Sequence, residues 1–134
     1  MNRDAGRVLV VEGSGDLRDR IGGWLEEAGF EVMACPGPQS PEYRCLGGEG
    51  RLCPLARAAD LVMLDLWLDS DCALQGTSGI DLLSYYLSFG TPVVAISYGP
   101  EATRLMAEER LTELEWPVDR AEVVETVRAM CVQG

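Results

Sequence analysis

The chain has 134 residues, a formal net charge of −11 and a hydrophobic fraction of 47%. It contains neither histidine nor lysine, so all 11 cationic side chains are arginines. These absences exclude a Ser-His-Asp triad, an imidazole-ligated zinc site, the lysine of a phosphate-binding P-loop and a lysine Schiff base. The acidic charge argues against direct binding of nucleic acid, because neutralising phosphates requires a basic patch.

No apolar run approaches the roughly 20 residues that are needed to cross a bilayer. The amino-terminal segment is polar and leads directly into a predicted strand, so we expect no secretory signal, no membrane association and a cytoplasmic location. The length suits a single domain over residues 1–134.

Five short apolar runs predict β-strands, and amphipathic segments between them predict helices. The central run, residues 61–64, is apolar throughout and is followed by Asp65, as expected of a strand buried on both faces. The other strands are predicted at residues 7–11, 31–35, 93–96 and 112–115. Helices are predicted at about 16–28, 52–59, 79–89 and 100–110, and from residue 120 onward.

The first predicted helix illustrates the amphipathic pattern. Leu17, Ile21 and Leu25 recur at helical spacing and should face the core, while Arg18 falls on the opposite, polar face. Gly29 then ends the helix in a left-handed conformation. Two connections, at about 36–52 and 66–78, are long for a compact α/β domain and are therefore candidates for a functional role.

Strictly alternating strands and helices require a parallel sheet with helices on both faces. For five strands, the usual solution is a flavodoxin-like (βα)5 doubly wound sheet with strand order 2-1-3-4-5. Ligands of such sheets bind at the carboxyl ends of the strands, where strands 1 and 3 diverge. Glu12 follows strand 1 and Asp65 follows strand 3, so two carboxylates are expected to meet there.

These residues resemble the receiver domain of bacterial two-component response regulators, and the resemblance covers nearly the whole chain. It rests on residues 8–12, 61–68, 79–83 and 92–97 and on the pair Trp116-Pro117. The resemblance implies that Asp65 accepts a phosphoryl group from a sensor histidine kinase, with a bound Mg²⁺. The metal would be held by Glu12, Asp65 and the backbone carbonyl of Trp67.

The same resemblance implies that Ser97 is the switch hydroxyl. Its movement would reshape a partner-binding face made by the fourth predicted helix, the fifth strand and the last helix. The chain would at most phosphorylate itself and would not be an enzyme with turnover. We expect no output domain within residues 1–134, so that output would depend on a partner protein.

The sequence departs from the family pattern at two supports of phosphoryl transfer. Gly13 stands where the family has a second acid, and Trp116 occupies the position of its lysine. We therefore expect an atypical receiver with a weakened Mg²⁺ site. Asp69 or Asp71 could act as a substitute metal ligand, and Arg104 could replace the lysine.

The five cysteines leave a second interpretation open. Cys131 lies on the apolar face of the last helix, whereas the other four follow strand ends or lie in the long loops: Cys35, Cys45, Cys53 and Cys72. Four thiolates could bind zinc or an iron-sulfur cluster, although their spacing matches no compact ligand motif. The alternative is therefore a phosphorylation-independent pseudo-receiver that docks a protein, binds metal or senses redox state.

Overall fold

A computed structural model describes residues 6–12, 15–35, 53–66, 79–97 and 110–133 of the chain. The long connections predicted at 36–52 and 66–78 lie outside these ranges, except for Leu66. The helix predicted over 100–110 also lies outside them, except for Arg110. The C-terminal helix is therefore labelled α4 below.

Helices and strands alternate along the described chain, as the sequence predicts. In chain order the elements are β1 (Arg7–Val11), α1 (Gly15–Glu27), β2 (Glu31–Cys35), α2 (Pro54–Ala58), β3 (Leu61–Asp65), α3 (Gly79–Ser88), β4 (Val93–Ser97), β5 (Leu111–Glu115) and α4 (Arg120–Gln133). The β5 strand begins one residue earlier than predicted. No helix in the described ranges is long and apolar enough to cross a membrane.

The five strands form one parallel sheet in the order β2-β1-β3-β4-β5, which confirms the predicted flavodoxin-like topology. Every residue of β3 and β4 is buried, because helices cover both faces of these central strands. The strands β2 and β5 form the two edges of the sheet.

Side chains alternate between the two faces of the sheet and build two apolar clusters. One cluster joins the sheet to α1 and α4, and its buried side chains include Val8, Val10, Ile21, Leu25, Leu61, Met63, Ile96 and Val127. The other joins the sheet to α2 and α3 and includes Leu9, Val11, Ala56, Val62, Leu64, Leu83 and Tyr86. The fold is therefore doubly wound.

Helix ends follow the signals in the sequence. Gly29 has a φ of 100°, and the Phe30 N–H donates to the Leu25 carbonyl at 3.0 Å, which closes α1 with a Schellman motif. Gly90 has a φ of 80° and ends α3. At the start of α4, the Asp119 carboxylate accepts a hydrogen bond from the Glu122 N–H at 2.8 Å.

Candidate functional site

Two carboxylates lie side by side where the carboxyl ends of the parallel strands meet, which is called the carboxyl edge below. Val11 of β1 is in register with Leu64 of β3, so Glu12 and Asp65 occupy the next positions on neighbouring strands. Strand alternation directs both toward the face covered by α1 and α4. Each residue is only 3% exposed. Because burying a carboxylate costs free energy, two of them at one strand edge indicate a functional site.

A buried hydroxyl lies on the next strand. Ser97 ends β4 and is 0% exposed, and its Oγ forms no hydrogen bond with any residue that the structure describes. The Leu66 N–H, directly after Asp65, donates to the Ile96 carbonyl at 2.9 Å and ties the ends of β3 and β4 together. A buried hydroxyl without a partner is costly, so packing alone does not explain a serine at this position.

The tryptophan predicted at the lysine position lies beside this serine. The Trp116 N–H donates to the Ser97 carbonyl at 2.8 Å, and the peptide bond to Pro117 is cis. Trp116 is 39% exposed. An amphipathic aromatic ring, rather than an ammonium group, therefore stands at the carboxyl end of β5.

Arg18 occupies a place that the sequence analysis did not predict. The helical pattern places it on the polar face of α1 but does not predict its contact: Arg18 is half-buried, and its Nη1 donates to the Glu12 carbonyl at 2.7 Å. A long arginine side chain can fold back along its helix, and a pattern of Cα positions does not represent that reach. Arg104, the replacement cation considered from sequence, lies outside the described residues.

The two carboxylates fit the chemistry of a magnesium site. Mg²⁺ prefers oxygen ligands and is commonly held by one or two carboxylates together with water. Within the described ranges, no group of three or more potential ligands is close enough to hold a metal. Trp67, Asp69 and Asp71 lie outside those ranges, as does Gly13. Among the described residues, the candidate magnesium ligands at this site are therefore Glu12 and Asp65.

Two of the four cysteines predicted as metal ligands lie within the residues that the structure describes. Cys35 is buried at the end of β2, and Cys53 precedes α2 and is half-buried. Both side chains pack in the cluster between the sheet and α2 and α3. The Cys53 N–H donates to the Tyr85 hydroxyl oxygen at 3.0 Å. Cys45 and Cys72 lie outside the described residues.

Cys131 packs at the edge of the other cluster, in agreement with its predicted apolar position. Burial raises the pKa of its thiol, and the negative charge of Asp60 raises it further. This cysteine lies far along α4 from the carboxyl edge and is separate from the candidate site.

Comparison with known proteins was made by sequence and by structure. No protein-family model matches the chain, and no curated protein matches it. Solved structures do match. A CheY-like receiver domain protein from Methanospirillum hungatei JF-1 is 18% identical with a TM-score of 0.67, and the match covers 95% of this chain and 94% of that one.

Two further solved structures match the chain. NtrX from Brucella abortus, solved in complex with ATP, is 26% identical with a TM-score of 0.67; the match covers 96% of this chain but only 27% of NtrX. The receiver domain of the hybrid histidine kinase CckA is 24% identical with a TM-score of 0.65, over 94% of this chain and 99% of that domain.

The sheet order and the buried acids define an α/β domain with a candidate site at its topological switch point. Within that class, the structural matches are CheY-like response-regulator receiver domains. This chain has the receiver fold, which confirms the resemblance found in the sequence.

Proposed function

We propose that this chain is an atypical response-regulator receiver domain that takes part in phosphorelay signalling, with Asp65 as the phosphoacceptor. The observation that carries the proposal is the pair of buried carboxylates, Glu12 and Asp65, at the switch point of a receiver fold. The buried Ser97 hydroxyl on the adjoining strand adds to it.

The proposed step is a phosphoryl transfer. A carboxylate oxygen of Asp65 bonds to phosphorus as the bond from phosphorus to the leaving group breaks, and the leaving group departs with the electron pair. Glu12 and Asp65 would hold Mg²⁺, which when bound neutralises charge on the phosphoryl oxygens. Glu12 also keeps a second negative oxygen donor beside the nucleophile in a site that excludes bulk water.

Ser97 connects this site to a surface. Its hydroxyl is free to bond to a new anionic group on Asp65, and its carbonyl already accepts the Trp116 N–H at 2.8 Å. A shift of Ser97 would therefore move the end of β5. We propose that a partner reads this shift on the face formed by β5, α4 and residues 100–110. A sensor histidine kinase is the proposed phosphoryl donor, and the cytoplasm is the proposed location.

The test is intact-protein mass spectrometry after incubation with acetyl phosphate and Mg²⁺. We expect the wild-type protein to gain one labile phosphoryl group and Asp65→Asn to gain none. Asp19→Asn is the matched control, because Asp19 is an exposed acid on α1 and its loss changes the net charge equally. Persistent labelling of Asp65→Asn, or an unlabelled wild-type protein, would contradict the proposal.

A second candidate is a pseudo-receiver that docks a protein without phosphorylation. The exposed Trp116 at the lysine position favours it, because aromatic side chains are enriched at protein interfaces. In this case the wild-type protein would take no phosphoryl group, and Trp116→Ala would abolish capture of the partner. Zinc or an iron-sulfur cluster as the ligand of such a module has no support among the described residues. Native mass spectrometry would detect either group as mass lost on denaturation.

A further inference from the structure

Arg18 brings a positive charge to the carboxyl edge of the sheet. Its Nη1 donates to the Glu12 carbonyl at 2.7 Å, and the side chain is half-buried. A Cβ atom added at Gly15, the first residue of α1, would lie 3.5 Å from the Arg18 Nη2. The guanidinium therefore lies beside the first residue of α1.

The bond to Arg18 fixes one end of the Glu12 backbone, and β2 fixes the other. The Glu12 N–H donates to the Cys35 carbonyl at 3.0 Å, while the Glu12 carbonyl accepts from Arg18. The Glu12 side chain is therefore carried on a backbone held on both sides, one register position from Asp65. Both acids face the side of the sheet that α1 covers, which is the side from which Arg18 reaches.

Three other described arginines have partners elsewhere. Arg7 pairs with Glu31, Arg120 pairs with Glu27, and the Arg128 guanidinium donates to the Ala28 carbonyl at the end of α1. Since the chain has no lysine, a cation at the carboxyl edge must be an arginine or a bound metal. Arg18 bonds directly to a residue of that edge.

We propose that Arg18 is the fixed cation and positioning residue of the candidate site formed by Glu12 and Asp65. This inference rests on the proposed phosphorylation of Asp65. Through its bond to the Glu12 carbonyl, Arg18 holds the backbone that carries the Glu12 carboxylate. It also supplies positive charge, for which the resemblance to receiver domains implies a lysine at position 116. When Asp65 bonds to phosphorus and the donor leaves with its electron pair, the phosphoryl oxygens keep their negative charge. A preorganised guanidinium nearby stabilises that charge without reorganising.

A fixed cation has a second, opposite effect that a purely structural arginine would not have. Its charge repels Mg²⁺, so removing it should tighten metal binding to Glu12 and Asp65 while slowing phosphoryl transfer. Loss of a structural contact would instead weaken metal binding and slow transfer together. The signs of the two changes therefore distinguish the two roles.

The experiment compares wild-type protein with Arg18→Met, Arg18→Lys and Arg20→Met. Mg²⁺ affinity is measured by isothermal titration in the absence of a phosphoryl donor, and the labelling rate with acetyl phosphate is measured at saturating Mg²⁺. For Arg18→Met we expect labelling to slow at least about tenfold and Mg²⁺ to bind about threefold more tightly. Arg18→Lys, which keeps the charge, should recover most of the rate.

Arg20→Met is the matched control because Arg20 is exposed on the same helix and carries the same charge. We expect it to match the wild-type protein in both measurements. An unchanged labelling rate or weaker Mg²⁺ binding in Arg18→Met would overturn the inference. If the wild-type protein takes no phosphoryl group, the proposed function fails. The metal titration then still decides whether the Arg18 charge acts on the two carboxylates, and unchanged affinity in Arg18→Met overturns that role.

Discussion

The carboxyl edge of the sheet, where the strands end, differs from the opposite, amino-terminal edge, where the strands begin, in the burial of its polar groups. At the amino-terminal edge, Arg7 donates its N–H to the Asp60 carboxylate at 2.8 Å and its side chain pairs with Glu31 at 3.3 Å, all in exposed positions. At the carboxyl edge, Glu12 and Asp65 are almost completely buried. Exposed ion pairs are inexpensive and replaceable, whereas buried charges lower stability unless they are compensated.

Ser97 strengthens this contrast, since its buried hydroxyl has no partner among the described residues. Groups that are costly to bury concentrate at one edge of an otherwise apolar sheet. Proteins tolerate such costs mainly at functional sites, where the same groups bind or react. The carboxyl edge is therefore the part of the fold in which stability and function should conflict.

The largest expected effect on stability is at Asp65. Asp65→Asn removes one of two neighbouring buried charges, so we expect the free energy of unfolding to rise by about 1 to 2 kcal/mol. Urea denaturation without divalent cations measures it. A loss of stability would mean that the Asp65 carboxylate is part of a structural network, and the contrast between the edges would disappear.

A cation added at the carboxyl edge should speed the proposed phosphorylation of Asp65. Trp116→Lys adds a positive charge beside Ser97, where the resemblance to receiver domains implies a lysine, and we expect the rate of labelling by acetyl phosphate to rise about tenfold. Phe89→Lys is the matched control, because Phe89 is also an exposed aromatic but follows α3 near the amino-terminal edge. An unchanged rate in Trp116→Lys would place the defect at Gly13 instead.

The amino-terminal edge should respond weakly and with the opposite sign. Asp60→Asn removes an exposed acceptor of the Arg7 N–H, so we expect the free energy of unfolding to fall by less than about 1 kcal/mol. The loss should shrink in high salt, which screens exposed charges. A loss as large as that of a buried charge would show that this edge is also tightly coupled to the core.

The smallest expected effect is a pH dependence at Cys131. Burial, followed by the charge of Asp60, raises the pKa of this thiol in the folded protein, so the unfolded chain loses its proton first as pH rises. The contribution of Cys131 to stability is therefore complete below the unfolded pKa and is lost as pH rises through the folded pKa. The difference between the urea midpoints of wild-type protein and Cys131→Ala should therefore shrink toward alkaline pH. Parallel pH curves would refute this.

The sequence predicted the fold well because the central strands are apolar without interruption. The runs ending at Val11, Leu64 and Ile96 can pack only in a sheet covered on both faces, and the two acids next to them follow directly from strand order. Gly29 and Gly90 fixed the helix ends, since both adopt positive φ. Such local patterns predict the fold correctly because tertiary packing favours the same structure as the local sequence does.

The charge environment of the site was not predictable in the same way. Helical periodicity placed Arg18 on the polar face of α1 without predicting its contact, because periodicity records where a Cα atom lies, not where a guanidinium ends. The available signal was an arginine in the first turn of a helix that follows a glycine-rich turn and a strand ending in an acid. Read together, those features place a long donor within reach of the last strand carbonyl.

The exposed acids on the two edge strands have a consequence for contacts between copies of the chain. Edge strands present unpaired backbone groups to which a second sheet can add. Here β2 exposes Glu31, and β5 exposes Glu113 and Glu115, so two copies aligned edge to edge would bring like charges together. With a net charge of −11, this chain should resist growth into an intermolecular sheet at low ionic strength and lose part of that protection as salt is added.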